Sequence, residues 1–173
     1  MKTEYVTFFF LVILSVFIVA CDNAELSEEN IEAEANLIEW NGHFYGITPQ
    51  KDYWDNAEAY AVSQGGYLVT IDNAAENIFI QNTFLTGNNV NEKLWIGLTC
   101  HRPLNYLDKS SWSWVDGSTV TYSNWRAGQP DKGFDSDRYV AINYQGGSNN
   151  QWDNFPNKSN YMFRGIYEVN PDT

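Results

Sequence analysis

The sequence predicts an α+β domain, with two helices early in the chain and short strands after them. Three observations carry the prediction. Two helical patterns lie between Asp52 and Phe84, short β-like runs recur from Leu94 onward, and the stretches between those runs are long and rich in Gly, Asn, Asp and Pro. A chain of 173 residues makes one domain the default, because domains commonly take ~100–200 residues. Its 43% hydrophobic and 16% aromatic content supplies one packed core and argues against disorder over the whole length.

The chain starts with an export signal. Lys2 precedes an apolar run from Val6 to Ala20, interrupted only by Thr7 and Ser15. That length suits a signal-peptide core and falls short of a bilayer span of ~20 residues, so residues 1–20 read as a signal peptide. The run ends in Ile18-Val19-Ala20-Cys21, and an aliphatic residue, a small one and then Cys resembles the lipobox of bacterial lipoproteins. The resemblance implies that Cys21 takes lipid on its sulfur, becomes the mature N-terminus and anchors the protein to a membrane. Two other readings stay open. Ordinary signal-peptidase cleavage after Ala20 would leave a secreted protein with a Cys21 thiol, and an uncleaved anchor would lack the basic residues that stop transfer.

Residues 21–39 form an acidic linker. Asp22, Glu25, Glu28, Glu29, Glu32, Glu34 and Glu39 stand there with no basic residue, and a block of like charge with few large apolar residues is a solvated tether or a weak helix. From Trp40 on, 14 acidic residues meet 9 basic ones, so much of the formal charge of −12 lies outside the folded part. Negative charge argues against nucleic acid, whose phosphates recruit Lys and Arg. Two cysteines, Cys21 and Cys100, exclude a multi-disulfide framework and a four-thiolate zinc site. Cys100 reads as a small buried hydrophobe; His101 beside it in sequence says nothing of a thiol–imidazole pair in space.

Residues 40–170 make the domain. Gly42–Thr48 reads as an aromatic strand. Asp52 is the expected N-cap of a helix with apolar residues at helical spacing from Tyr53 to Val62, and Gly65-Gly66 its stop. Tyr67–Ile71 is a strand. Asn73 opens a second helix, with Glu76 three residues on in a capping-box arrangement. Leu94–Leu98, Ser113–Val115, Tyr139–Asn143 and Tyr161–Val169 are the later strands, and the loops Arg126–Arg138 and Gln145–Gln151 between them are long enough to carry function.

Oxygen-bearing side chains concentrate in that loop region. Gln129-Pro130-Asp131 is followed by Asp135 and Asp137 and, after a hydrophobic run, by Asp153-Asn154. Hard cations such as Ca²⁺ take six to eight oxygens at ~2.3–2.6 Å, so loops joined by a strand would supply a shell. The lack of His or Cys among them argues against zinc or copper. On these residues alone, acidic loops facing water are the better account of the pattern.

A wider set of motifs decides between the two. Trp95-Ile96-Gly97-Leu98, Trp112-Ser113-Trp114-Val115-Asp116-Gly117-Ser118 and Tyr122-Ser123-Asn124-Trp125 resemble the C-type lectin domain, as do Trp54–Tyr60, Gly66–Ile71, Gln151-Trp152-Asp153-Asn154 and Gly165-Ile166-Tyr167-Glu168. The resemblance implies a C-type lectin-like fold: two helices flanking two small antiparallel β-sheets, with a long loop region. It implies a Ca²⁺ and carbohydrate site at Gln129, Asp131, Asp137, Asp153 and Asn154, with Pro130 as a cis proline. Each side chain would give one lone pair to the metal and use another atom on a sugar hydroxyl. Gln129 can donate and Asp131 only accept; the Gln-Pro-Asp order resembles galactose-type sites, where Phe134 would lie on the apolar sugar face, or else fold onto the domain's own core. The resemblance implies binding, not catalysis, and no paired acids or nucleophile–base pair is evident outside the metal cluster. A module of this fold that engages a protein or peptide is the alternative.

The departures from the family are specific. Tyr60, Tyr139 and Tyr167 stand where half-cystines are usual, and Trp152-Asp153-Asn154 replaces Trp-Asn-Asp. Lys132 and Arg138 occupy positions where an auxiliary Ca²⁺ site would need acids; Arg138 would point away or pair with Asp135. Trp95, Trp112, Trp114, Trp125 and Trp152 match core positions. Asn157-Lys158-Ser159 is a formal glycosylation sequon, without meaning if the lipobox places the chain in a bacterium.

Overall fold

The computed structural model describes residues 37–100, 108–131 and 137–170. The expectations for residues 1–20, Cys21, His101, Lys132, Phe134 and Asp135 lie outside the described residues. The elements in order are β1 (Ile38–Trp40), β2 (His43–Ile47), α1 (Trp54–Ser63), β3 (Tyr67–Leu68), α2 (Ala74–Phe84), β4 (Leu94–Cys100), β5 (Trp112–Trp114), β6 (Asp137–Ile142), β7 (Trp152–Pro156) and β8 (Arg164–Val169). The strands follow the order β1-β2-β8-β4-β6-β7, with β3 added to β8 and β5 to β4. Pairing is antiparallel except between β4 and β8, which meet in parallel through Leu94↔Arg164 and Trp95↔Gly165. The two small antiparallel groups of the expected fold are thus joined by one short parallel contact.

All seven residues of β4 are buried, because the strand has a core on each face. Successive side chains of a strand point to opposite sides. Leu94, Ile96, Leu98 and Cys100 join Ile80 and Phe84 of α2, Val140, Ile142 and Trp152. Trp95 faces the other way, into a cluster with Trp54, Ala57 and Ala61 of α1, Leu68, Ala141 and Phe155. One helix therefore covers each side of the central strand, and the continuous apolar run Leu94–Leu98 follows from burial on both faces. Gly97 lets the β3 end approach: a Cβ there would lie 2.2 Å from the Leu68 carbonyl oxygen.

The helix starts differ in detail from expectation. Asp52 is not the N-cap of α1; that position is Tyr53, with no side-chain cap. The backbone of Asp52 is held in a bridge with Phe163 (N–H to O 3.1 Å and 3.0 Å in return), so the helix begins one residue later. The Asp52 carboxylate still serves it, accepting from the Tyr53 N–H and from Asn56 Nδ2. Gly65, at φ +83°, follows the helix end as expected. Asn73 caps α2 by accepting from the Glu76 N–H at 3.0 Å. Glu76 reaches back one residue further than a capping box requires, to the Asp72 N–H, and its other oxygen accepts from the Tyr45 hydroxyl.

Most strand bounds differ from expectation by a few residues, three of them with consequences. The ladder at Tyr67–Ile71 is regular only over Tyr67–Leu68, although Val69 continues it by donating to the Ile166 carbonyl. β8 starts at Arg164 rather than Tyr161. β1 places Ile38 and Glu39 in the sheet, two residues inside the segment assigned to the linker. The tryptophans are core: Trp95, Trp114 and Trp152 are fully buried, with Trp112 nearly so and Trp125 packed against them. Of the tyrosines at half-cystine positions, Tyr60 and Tyr167 meet edge to face with centroids 5.8 Å apart, and Tyr139 packs on Trp54 at 4.8 Å.

Candidate functional site

The loop site is built on β7. This strand has no strand signature in sequence, since Asp153-Asn154 reads as loop chemistry, yet all five of its residues are buried and it pairs with β6 through Val140↔Asn154, Ala141↔Asp153 and Ile142↔Trp152. The segment before the Gln-Pro-Asp corner runs along it: Trp152 N–H donates to the Asn124 carbonyl and Arg126 N–H to the Trp152 carbonyl, both at 2.9 Å. Gln129 N–H then closes a turn on the Arg126 carbonyl. The Gln129–Pro130 bond is cis, as the resemblance implies.

Gln129, Asp131, Asp137 and Asn154 come together. Gln129 Nε2 donates to Asp131 Oδ2 at 3.1 Å. Asn154 works as a clip, accepting from the Asp131 N–H at 3.1 Å while its Nδ2 donates to the Asp131 carbonyl (2.9 Å) and the Asp137 carbonyl (3.1 Å). Asp137 is 3% exposed on β6. Asp153 is engaged elsewhere. Its Oδ2 receives two hydrogen bonds from one guanidinium, Arg126 Nε at 2.9 Å and Nη2 at 2.7 Å. Burial raises the Asp153 carboxyl above the ordinary range; Arg126 pulls it back down, while the charge of Asp131 pushes it up. The Arg126 guanidinium also lies over the Tyr144 ring, 4.8 Å from its centroid.

Arg126 and Tyr144 were not candidates on sequence grounds. The pairing of Arg126 with Asp153 crosses 27 positions and depends on the bridge that lays Trp125 beside Trp152, a contact no local pattern announces. Arg138 lines a cavity of about 340 Å³ with Trp54, Asp55, Glu58 and Tyr139 among others, away from Gln129, Asp131 and Asn154.

The donor chemistry suits a hard cation. Gln129 Oε1 is buried and accepts no hydrogen bond among the described residues, so it holds lone pairs that a cation would satisfy. Asp131 adds a carboxylate and Asn154 an amide oxygen beside it, the ligand types Ca²⁺ takes. Among the described residues no three His, Cys, Asp or Glu side chains converge closely enough to hold a metal by themselves, so the amide oxygens are part of any such shell.

An α+β domain of this strand order, with a cis Gln-Pro-Asp corner pinned to a buried strand, defines a lectin-type scaffold. The chain belongs to the C-type lectin domain family, whose model matches residues 50–162. It is 32% identical over 93 residues to the galactose-specific lectin nattectin of Thalassophryne nattereri, a match covering 54% of this chain and 55% of nattectin, about half of each. It is 27% identical over 139 residues to a perlucin-like protein of Mytilus galloprovincialis, covering 78% of this chain and 85% of that one. Among solved structures it is similar to the C-type lectin CEL-I from Cucumaria echinata, with a TM-score of 0.65 and 23% identity over 76% of this chain and 93% of that one.

Proposed function

We propose that this chain is an exported, lipid-anchored lectin that binds carbohydrate through one Ca²⁺ at the Gln129–Asp131 corner, with a galactose-type preference. The observation that carries the reading is the corner, where the Gln129 amide and the Asp131 carboxylate meet at 3.1 Å and Asn154 ties the Asp131 backbone to β7. Gln129, Asp131, Asp137, Asp153 and Asn154 are the residues that would hold the ion, which when bound supplies coordination to two neighbouring sugar hydroxyls. The side chains set polarity. Gln129 Nε2 is the donor end and Asp131 the acceptor end, so a diol is received in one orientation. Phe134 would cover the apolar face of the ring. The name of nattectin, a galactose-specific lectin, supports the same preference. Export and anchoring rest on residues 1–21 and the Cys21 position.

A second reading is a module that engages a protein or peptide without metal. One observation favours it: Arg126 already neutralises Asp153. A glycan array run with Ca²⁺ and with EDTA separates the two. The lectin reading expects galactose-terminated glycans to be retained with Ca²⁺ and lost with EDTA. Asp131→Ala should abolish retention while the melting temperature stays within about 3 °C, since Asn154 grips the Asp131 backbone rather than its carboxylate. Retention that survives EDTA and Asp131→Ala moves the site elsewhere.

A further inference from the structure

Asp153 and Asn154 are neighbours on a strand, and neighbouring strand residues face opposite ways. Trp152 belongs to the core on the α2 side and Phe155 to the core on the α1 side, which gives Asn154 the side of Trp152 and Asp153 the side of Phe155. Asn154 accordingly reaches Asp131 and Asp137. Asp153 emerges where Phe155 packs against Tyr144 at 5.7 Å between centroids, and where Arg126 lies over that same tyrosine. Its side chain is only 6% exposed, that of Arg126 27%.

A carboxylate buried to that degree needs a cation or several donors. Arg126 supplies both in one planar group, and its place is fixed three times over. Its backbone N–H is bound to Trp152, its Nε and Nη2 share one carboxylate oxygen, and its plane rests on Tyr144. A guanidinium does not lose its charge at any working pH, so this cation is permanent.

We propose that Arg126 is a built-in competitor of calcium for Asp153: it holds that carboxylate as a fixed counter-cation, and a Ca²⁺ that takes Asp153 as a ligand must draw it off the guanidinium. The inference rests on the calcium reading above and deepens it by naming the residue that sets the affinity. It also gives the exchanged order Trp152-Asp153-Asn154 a physical sense. A neutral asparagine at 153 would give Arg126 no anion, whereas aspartate makes the ion pair.

The test is a titration of the full chain with CaCl₂, read as heat and as thermal shift, for the unaltered protein, Arg126→Gln, Arg126→Lys and Asp153→Asn. Arg126→Gln removes the charge but keeps a donor for the buried carboxylate, which protects the fold. It should tighten Ca²⁺ by about ten- to hundredfold, the span of one charge-assisted hydrogen bond. Arg126→Lys, which keeps the charge and loses the fork, should fall between the two and stands in if Arg126→Gln does not fold. Adding Arg126→Gln to Asp153→Asn should tighten Ca²⁺ far less than it does in the unaltered chain. Tightening in Arg126→Gln while the unaltered chain takes no Ca²⁺ supports the inference and removes calcium from the proposed function. Ca²⁺ binding in the unaltered chain that Arg126→Gln leaves unchanged or weakens overturns the inference alone. No binding in any of the five proteins overturns the inference and the calcium reading together.

Discussion

Glu168 is 1% exposed on β8, with Thr70 Oγ1 donating to its Oε1 at 3.2 Å. Burial pushes its carboxyl from an ordinary 4.5 up to about 8, the negative charges of Glu76 and Asp116 push the same way, and the Tyr67 and Thr70 hydroxyls pull back. The folded chain therefore holds a proton there that the unfolded chain releases near 4.5. This contribution to stability is complete below pH 4.5 and is lost as pH rises to about 8. Glu58 and Glu76 are raised by burial too and add in the same sense. Thermal unfolding should give a melting temperature that falls between pH 5 and pH 8, by a stability change of the order of a few kcal/mol. Glu168→Gln should flatten that slope, and an equal slope in the variant would place the titrating group elsewhere. At this scale the sequence was partly legible. Gln129 and Asp131 could be named because their types and order carry chemistry, whereas the tie of Asp153 to Arg126 depends on which face of a strand each residue takes.

Elements with strong local signals were readable in advance. α2 begins at an asparagine whose side chain caps it, and β4 opens with the unbroken apolar run Leu94–Leu98. β7 was not readable, because its buried Asp153 and Asn154 are satisfied by partners far along the chain, and a polar pair in sequence reads as loop. The start of α1 shifted for a similar reason, the Asp52 backbone being held by Phe163. A tight element-level constraint is the approach of β3 to β4. A methyl at position 97 would meet the Leu68 carbonyl oxygen at 2.2 Å and Val115 Cγ2 at 2.8 Å. The backbone cannot give way there, because Gly97 N–H donates to the Val69 carbonyl and its own carbonyl accepts from the Val115 N–H. Gly97→Ala should cost about 3 kcal/mol in denaturant unfolding; a loss below about 0.5 kcal/mol would mean that the two strands separate readily.

On the scale of the molecule, strand order matters more than any one contact. β1 and β7 are the two ends of the path β1-β2-β8-β4-β6-β7. The chain that precedes Leu37 joins the domain at the β1 end, while the Gln129–Asp131 corner is pinned to β7. The Gln129–Asp131 corner thus lies at the opposite end of the strand order from β1. If Cys21 is the anchor, Cys21→Ala should move the protein from the membrane fraction to the soluble one with glycan binding intact; membrane retention of the variant would point to the apolar run as an uncleaved anchor. The meeting of Tyr60 and Tyr167 has a consequence of another kind. Where α1 is clasped to β8, the fastening is two rings and not a sulfur–sulfur bond, so the clasp closes by collapse alone. Maturation of that joint asks for no oxidase, no isomerase and no particular redox poise, and the joint holds as well under reducing conditions as in an oxidising space.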